Sequence, residues 1–241
     1  MLMIDAHCHL ETVPHLGEVL SRCRQKLNGM ITCGYDLESS KRNVEIADGN
    51  ENYVWACGGL APQNALTAGE DELAKMLDYL RANSDSFVAI GEIGLDYKWA
   101  KTDEERNKQL RAFKMQLSLA KELNKPVVIH SREAERECIE LALNAGCRAM
   151  LHCFSGRAEL ACRAAEAGFM LSVPPLRSKE RKKAIKSVDI NYLLAESDAP
   201  AIGKDPLACL GAAELIAELQ GLKRQETERT LESNCRQFFK L

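Results

Sequence analysis

The N-terminal stretch Met3-Ile4-Asp5-Ala6-His7-Cys8-His9-Leu10 is a short apolar run that ends in a His-x-His pair. Residues two apart in a β-strand project to the same face, so His7 and His9 would present two imidazoles to one point. A His-x-His pair alone is weakly specific and also occurs as two ordinary histidines near a chain terminus. The stretch predicts a first strand and half of a metal site, and the rest of the chain must supply the other half.

Four further candidate ligands follow short apolar runs in the same way: Glu92, His130, His152 and Asp198. Divalent cations bind this mixture of imidazole nitrogen and carboxylate oxygen. A single histidine after an apolar run is usually a satisfied core residue. Six nitrogen and oxygen ligands at the ends of successive strands instead indicate one metal centre.

The whole chain alternates short apolar runs with helical patterns. After the first strand, strands are predicted at 29–33, 53–57, 87–91, 126–130, 149–152, 169–173 and 190–195. Continuous alternation of apolar strands and helices requires a parallel sheet covered by helices, and eight units favour a TIM-like (β/α)8 barrel over an open sheet. The candidate ligands then lie at the C-terminal ends of the strands, where such barrels carry their sites.

Composition agrees with one α/β domain, which we predict to span residues 1–241. The chain is 46% apolar, which supports a single large core. It has no 18-residue apolar run and no basic segment followed by an apolar one at the N-terminus, so we expect a cytoplasmic protein without a membrane span or secretory signal.

Ten cysteines are present, mostly within predicted strands and helices, and no Cys-x-x-Cys pair occurs. This usage predicts reduced and mostly buried thiols. Cys8 and Cys153 adjoin candidate ligands, but neighbouring strand residues point to opposite faces, so we expect both thiols to pack outside the site.

Five ordered motifs resemble the TatD family of metal-dependent hydrolases, within the amidohydrolase superfamily. They are 5–10 (DAHCHL), 91–97 (GEIGLDY), 128–134 (VIHSREA), 152–156 (HCFSG) and 196–200 (ESDAP). Each motif alone is of moderate specificity, but the ordered set extends from residue 3 to the segment 234–239. The resemblance therefore covers essentially the whole chain.

The ligand set predicts two divalent metal ions per chain, zinc, magnesium or manganese, and the family resemblance implies the same division. His7 and His9 would hold one ion, His130 and His152 the second, and Glu92 would bridge both. A pair of such ions polarises a phosphoryl oxygen and lowers the pKa of a shared water.

Three carboxylates complete the predicted centre. Asp198 would ligate a metal, orient the water and accept its proton as the general base. Asp5 and Glu196 lie two residues deeper than a candidate ligand, so we expect them to support the ligands or to act as core polar residues.

The resemblance implies hydrolysis of phosphodiester bonds in DNA by a 3′-to-5′ exonuclease or repair-type nuclease. A net charge of −3 gives no overall nucleic-acid signature, although the segment 177–186 carries six basic residues in ten. That segment is either a phosphate-binding surface or a solvated helix face. The candidate substrate contacts are Arg132, directly after His130, and then Arg157, Arg177 and Lys204. No membrane or obligate protein partner is expected.

Two departures from the family pattern concern the predicted rim of the site. The usual Gly-x-His-Pro is Gly59-Leu60-Ala61-Pro62, so Ala61 replaces a rim histidine, and the loop after Pro200 is short. These changes leave the ligand set intact. They keep two alternatives open: a hydrolase of a small ester, amide or phosphorylated metabolite on the same metals, and a non-catalytic metal-binding barrel.

Overall fold

The computed structural model describes residues 3–241, so the first two residues of the predicted domain lie outside the described part. The strands are β1 (Met3–Cys8), β2 (Leu27–Cys33), β3 (Val54–Gly58), β4 (Phe87–Asp96), β5 (Val127–Arg132), β6 (Ala149–Leu151), β7 (Met170–Val173) and β8 (Leu193–Ala195). The α-helices are α1 (Leu16–Cys23), α2 (Leu37–Asp48), α3 (Pro62–Ala65), α4 (Glu70–Ala82), α5 (Asp103–Glu122), α6 (Glu135–Asn144), α7 (Ala158–Glu166), α8 (Lys179–Ser187), α9 (Cys209–Gln220) and α10 (Arg224–Phe239).

The eight strands form one parallel sheet in sequence order from β1 to β8. Just beyond β8 the chain returns to β1, where the Asp198 amide donates to the His7 carbonyl at 3.0 Å and the His9 amide donates to the Ala199 carbonyl at 2.8 Å. The result is a nearly closed barrel surrounded by helices. The predicted TIM-like (β/α)8 fold is confirmed.

An apolar cluster inside the barrel forms the floor below the strand ends. Every strand contributes to it, with members that include Ile4, Ile31, Cys57, Ala89, Val128, Met150, Met170 and Leu194. Phe238 and Phe239 of α10 pack against the same cluster. A larger apolar cluster joins the strands to the surrounding helices. Because close-packed interiors deform little, the side chains at the barrel mouth stand on a rigid support.

Two of the helices that cover the barrel begin with capping boxes. At the start of α2 the Asp36 carboxylate accepts from the Ser39 amide at 2.8 Å. At the start of α5 Thr102 accepts from the Glu105 amide at 3.2 Å, while the Glu105 carboxylate accepts from the Thr102 amide at 2.9 Å. Such reciprocal bonds satisfy amides that have no partner within the helix, so they set where each helix begins.

Two strands differ in length from their prediction by three or more residues. β4 continues to Asp96, five residues past the predicted end, because its last residues pair with β5 in register, as in Asp96 with Arg132. Glu92 therefore lies within a strand. The predicted strand 190–195 is shortened to β8, because Asp189 accepts from the Asn191 amide at 2.8 Å and holds Ile190–Tyr192 in a 3-10 turn.

The ten cysteines all lie within the described residues and are all free, eight of them buried. This agrees with the predicted reduced thiols. Within residues 3–241, no helix has both the length and the apolar character that crossing a bilayer requires.

The contact between β4 and β5 makes Gly94 a test of the strand packing. Its φ is +138°, and a Cβ added there would overlap the backbone oxygen of His130. We expect Gly94→Ala to lower the free energy of unfolding by at least about 2 kcal/mol, because it combines backbone strain with a steric clash. Urea denaturation would measure the change.

Gly17→Ala is the matched control, because a Cβ on this α1 glycine has open space around it. It should raise the free energy of unfolding by roughly 0.4–1 kcal/mol through reduced freedom of the unfolded chain. A Gly94→Ala protein as stable as the wild type would contradict the close β4–β5 approach.

Candidate metal centre

The six predicted ligands lie together at the C-terminal mouth of the barrel: His7, His9, Glu92, His130, His152 and Asp198. The rings of His7 and His152 stack with their centroids 4.0 Å apart, and the His130 and His152 centroids are 5.4 Å apart. Histidines from β1, β5 and the end of β6 thus share one site.

One group of ligand atoms forms around the His-x-His pair. The Nε2 atoms of His7 and His9 are 3.2 Å apart. Oε2 of Glu92 lies 3.7 Å and 3.6 Å from them, and Oδ1 of Asp198 lies 3.7 Å and 3.5 Å from them. Two imidazole nitrogens and two carboxylate oxygens therefore surround one point.

A second group forms around the other oxygen of Glu92. Oε1 of Glu92 lies 2.9 Å from Nδ1 of His130 and 3.3 Å from Nε2 of His152. Those two nitrogens are 3.3 Å apart. Glu92 thus contributes one oxygen to each group, which is the arrangement expected of a bridging carboxylate.

Both groups fit divalent cations. Four ligands about 2.0–2.1 Å from a tetrahedral zinc ion lie about 3.3 Å from one another, close to the spacings in both groups. Lone pairs packed this closely repel one another unless protons or a cation lie between them. The donor set, imidazole nitrogen with carboxylate oxygen, also suits manganese and magnesium in part.

Hydrogen bonds behind two of the imidazoles fix which nitrogen faces the site. Nδ1 of His9 lies 2.8 Å from the Cys33 carbonyl, so it must donate there, and in the neutral ring the lone pair of Nε2 faces the first group. Nε2 of His130 lies 2.8 Å from Oδ2 of Asp96, which leaves Nδ1 as the acceptor in the second group. Both tautomers suit metal ligation.

Asp96 was not among the candidate site residues from the sequence. It is fully buried at the end of β4, and its carboxylate orients His130. Strand alternation could have identified Asp96 from the sequence, because it lies four residues beyond Glu92 and therefore on the same strand face. That signal requires β4 to extend past Glu92, which the apolar run 87–91 does not indicate.

Asp5 and Glu196 are completely buried and make hydrogen bonds behind the ligands. The Asp5 carboxylate accepts from the Ser197 amide at 2.8 Å and from its hydroxyl at 2.6 Å. The Glu196 carboxylate accepts from the Cys153 amide at 2.6 Å and from the Ser172 hydroxyl at 2.5 Å, and it lies 3.7 Å from Nδ1 of His152. These contacts match the supporting roles expected of them.

Mutual charge stabilisation maintains ionised groups in this buried site. Burial alone raises the pKa of the Glu92 carboxyl, but His152 beside it lowers that pKa well below its usual range. Burial lowers the pKa of His9, yet the Asp198 and Glu92 carboxylates raise it to about 9. Burial and the neighbouring His152 lower the pKa of His7 well below its usual value. A cation entering the site would displace the proton at His9.

The cluster opens into a cavity with two lobes. The first lobe, about 460 Å³, continues from the ligands toward Thr12, Tyr35, Gln63 and Asn64. The second lobe, about 430 Å³, continues toward Ser131, Arg132, Cys153, Ser155, Leu176, Arg181 and Ile202. His130, His152 and Asp198 line both lobes, so a ligand at the cluster can extend in two directions.

The two family departures lie at the first lobe. Ala61 is buried and precedes the short helix α3, whose Gln63 and Asn64 line the cavity. Polar amide groups are therefore present near the position where the resemblance places a histidine. Pro200 and Ala201 from the short loop after β8 line the same lobe.

Of the four arginines and lysines predicted to bind substrate, only Arg132 lines the cavity. Arg157 is exposed at the start of α7, and Lys204 is exposed in the loop before α9. Arg177 pairs with Glu218 at 2.8 Å. Neither lobe is lined by Arg157, Arg177 or Lys204.

The basic segment 177–186 is divided between surface and interior. Lys183 pairs with Glu180 on the surface at 3.1 Å, whereas Arg181 is 7% exposed and lines the second lobe. The sequence left this segment as either a phosphate-binding surface or a solvated helix face, and it did not separate Arg181 from its basic neighbours. Its burial follows from the packing of α8 against the barrel.

The expectation for Cys8 holds, and that for Cys153 is wrong. The Cys8 thiol is buried and donates to the Ile31 carbonyl at 3.3 Å, whereas Cys153 lines the second lobe. The reason is that β6 ends at Leu151, so strand alternation no longer applies. The backbone at Cys153 then turns, with φ at +48°.

Comparison with known proteins identifies the family. The model of the family described as TatD related DNase matches residues 4–240.

The uncharacterized metal-dependent hydrolase YabD of Bacillus subtilis is 30% identical over 100% of both chains. The 3′-5′ ssDNA/RNA exonuclease TatD of Edwardsiella piscicida is 30% identical over 93% of both chains. The crystal structure of YJJV, a TatD homolog from Escherichia coli K12, has the same fold, with a TM-score of 0.85, 24% identity and coverage of 99% of this chain and 98% of that one. The chain therefore belongs to the TatD related DNase family, as its motifs predicted, and is a hydrolytic enzyme of that family.

Proposed function

We propose that this protein is a two-metal phosphodiesterase that acts on DNA as a 3′-to-5′ exonuclease. The observation that carries the proposal is the position of Glu92, whose two carboxylate oxygens belong to two separate groups of imidazole nitrogens. One carboxylate shared in this way is typical of centres that hold two cations about 3.5–4 Å apart. The exonuclease activity and its polarity are taken from the relatives' names.

The residues of the chain would divide the work of such a reaction. His7 and His9 would hold one cation and His130 and His152 the other, with Glu92 between them and Asp198 at the first. Two divalent cations, zinc, magnesium or manganese, supply Lewis-acid polarisation and a hydroxide nucleophile near neutral pH. Asp198 faces both cavity lobes, so its carboxylate is available to orient the attacking water and to accept its proton.

The shape of the cavity suits a substrate that continues on both sides of the reacting phosphate. In the first lobe, the ring of Tyr35 and the amides of Gln63 and Asn64 offer a stacking surface and hydrogen-bond groups for a nucleoside. In the second lobe, Arg132 offers a cation to a phosphate. A small ester would leave most of this surface uncovered.

A metal and substrate screen tests the proposal. Protein stripped with a chelator would be reloaded with Zn²⁺, Mg²⁺ or Mn²⁺ and assayed on single-stranded DNA, double-stranded DNA, RNA and small chromogenic esters. We expect release of mononucleotides from the 3′ end of DNA with at least one cation and none without. Turnover of small esters with no DNA cleavage would instead select the small-molecule alternative, and inactivity on every substrate would select the binding barrel.

Substitution of the shared carboxylate should separate bridging from base catalysis. Glu92→Gln replaces one carboxylate oxygen with an amide nitrogen that cannot ligate a cation and removes the charge from the other, so metal content and activity should fall together. Asp198→Asn should reduce kcat more strongly than metal content, because it removes the proton acceptor while other ligands remain. Elemental analysis beside steady-state kinetics measures both. Two metals per chain and full activity in Glu92→Gln would show that Glu92 does not bridge.

Asp96 provides a test of ligand orientation. Asp96→Asn keeps the shape of the side chain but weakens the charge-assisted bond to Nε2 of His130. Affinity at the second group should fall roughly 10–100-fold, which is typical of such supporting residues. Competition with a chromogenic chelator would report it.

Asp85→Asn is the control for this substitution, because Asp85 lies at the opposite end of β4 in the turn Ser84–Ser86. Equal metal affinity in the two variants would mean that Asp96 does not influence the ligand His130.

A further inference from the structure

Arg181 is a buried cation, and none of the carboxylates in the described part of the chain lies within ion-pair distance of it. Its Nε donates to the Phe154 carbonyl at 3.2 Å, and Nη2 lies 4.0 Å from the Cys153 sulfur. Within residues 3–241, Arg181 forms no ion pair with a carboxylate. Buried charges are normally paired, because removing them from water without a counter-charge is costly. An anion from outside the described part of the chain is therefore the natural partner of Arg181.

The remaining donors of Arg181 are positioned beside the candidate metal centre. A guanidinium has five N–H donors, and the contacts to Phe154 and Cys153 engage at most two of them. Arg181 lines the second lobe together with Arg132, and His130, His152 and Asp198 form the wall that this lobe shares with the first. Arg181 thus borders a cavity of about 430 Å³, large enough for a phosphate group and part of a nucleoside.

The position of Arg181 is set by the start of α8. The Ser178 hydroxyl accepts from the Arg181 amide at 3.2 Å, which fixes the first turn of the helix. The bond from Nε to the Phe154 carbonyl then holds the side chain against the segment that follows β6. A guanidinium restrained in this way loses little further freedom when it binds an anion, and its planar donors match phosphate oxygens.

We propose that the second lobe binds a second phosphate of the substrate, the one adjacent to the phosphodiester that is hydrolysed, through Arg181 with Arg132. This proposal rests on the proposed function, since it assigns the reacting phosphate to the metal centre. The preferred substrate is then a nucleotide chain with at least two consecutive phosphates. An isolated phosphodiester would leave Arg181 unpaired and gain nothing from it.

Three dinucleotides test this on the wild-type protein without any substitution. The first is thymidylyl-thymidine, which has one phosphate, and the other two carry an additional phosphate at the 5′ end or at the 3′ end. We expect kcat/KM for one of the two phosphorylated forms to exceed that of the unphosphorylated form at least tenfold. If thymidylyl-thymidine is hydrolysed and neither phosphorylated form is hydrolysed more efficiently, the proposal is overturned.

Arg181→Met keeps the unbranched aliphatic part of the side chain and removes the charged guanidinium. The advantage of the phosphorylated dinucleotide should fall below about threefold, because the charge-assisted bonds to the second phosphate are lost. Arg229→Met, an exposed arginine of α10, is the matched control and should retain the advantage. An unchanged advantage in Arg181→Met would assign Arg181 to holding α8 against Phe154 and would refute the subsite.

Equilibrium binding separates this proposal from the proposed function. Calorimetric titration with thymidine 3′,5′-bisphosphate, with and without Zn²⁺, requires no turnover. The comparison uses whichever of these two conditions, with or without Zn²⁺, gives the wild type its tighter binding. There, Arg181→Met should bind thymidine 3′,5′-bisphosphate at least tenfold more weakly. Binding that depends on Arg181 without hydrolysis of any dinucleotide would support the subsite and refute the nuclease. Hydrolysis of dinucleotides without any dependence on Arg181 would support the nuclease and refute the subsite. If the wild type does not bind the bisphosphate, the subsite is also refuted.

Discussion

One buried carboxylate, Glu92, lies between two pairs of imidazoles, and the arrangement of the barrel mouth depends on it. The side chain is almost inaccessible, and its charge is stabilised there by the imidazoles around it. Such a charge could not be buried alone, because its loss of hydration would exceed what the fold supplies. The histidines and Glu92 are therefore mutually dependent.

The barrel provides the rigidity that this arrangement needs. Apolar residues from all eight strands pack below the mouth. The Cys33 carbonyl and the Asp96 carboxylate accept hydrogen bonds from two of the imidazoles and hold them in orientation. A hydrogen bond that joins the end of the sheet to its beginning lies within the site, because the Asp198 amide donates to the His7 carbonyl. Folding and assembly of the centre are thus a single process, in which ligands distant in sequence are brought into contact by strand pairing.

The strands and the loops that follow them contribute different parts of the site. The strand ends and the residues just after them carry the candidate ligands. The loops and first helical turns carry the cavity walls, including Gln63 and Asn64 in one lobe and Arg181 in the other. In barrel enzymes generally, residues at the strand ends carry the chemistry, and variation of the loops changes which substrates fit.

The sequence by itself determined the barrel and the six candidate ligands, because polar residues that end buried apolar runs must gather at one edge of a parallel sheet. It did not determine the length of β4, and so it did not reveal that Asp96 orients His130. It also predicted Arg157, Arg177 and Lys204 as substrate contacts, yet none of them lines the cavity, whereas Arg181 does. Periodicity specifies which face of an element is apolar, but contacts between elements depend on where each strand ends and how each helix is seated. Only the tertiary structure decides those two quantities.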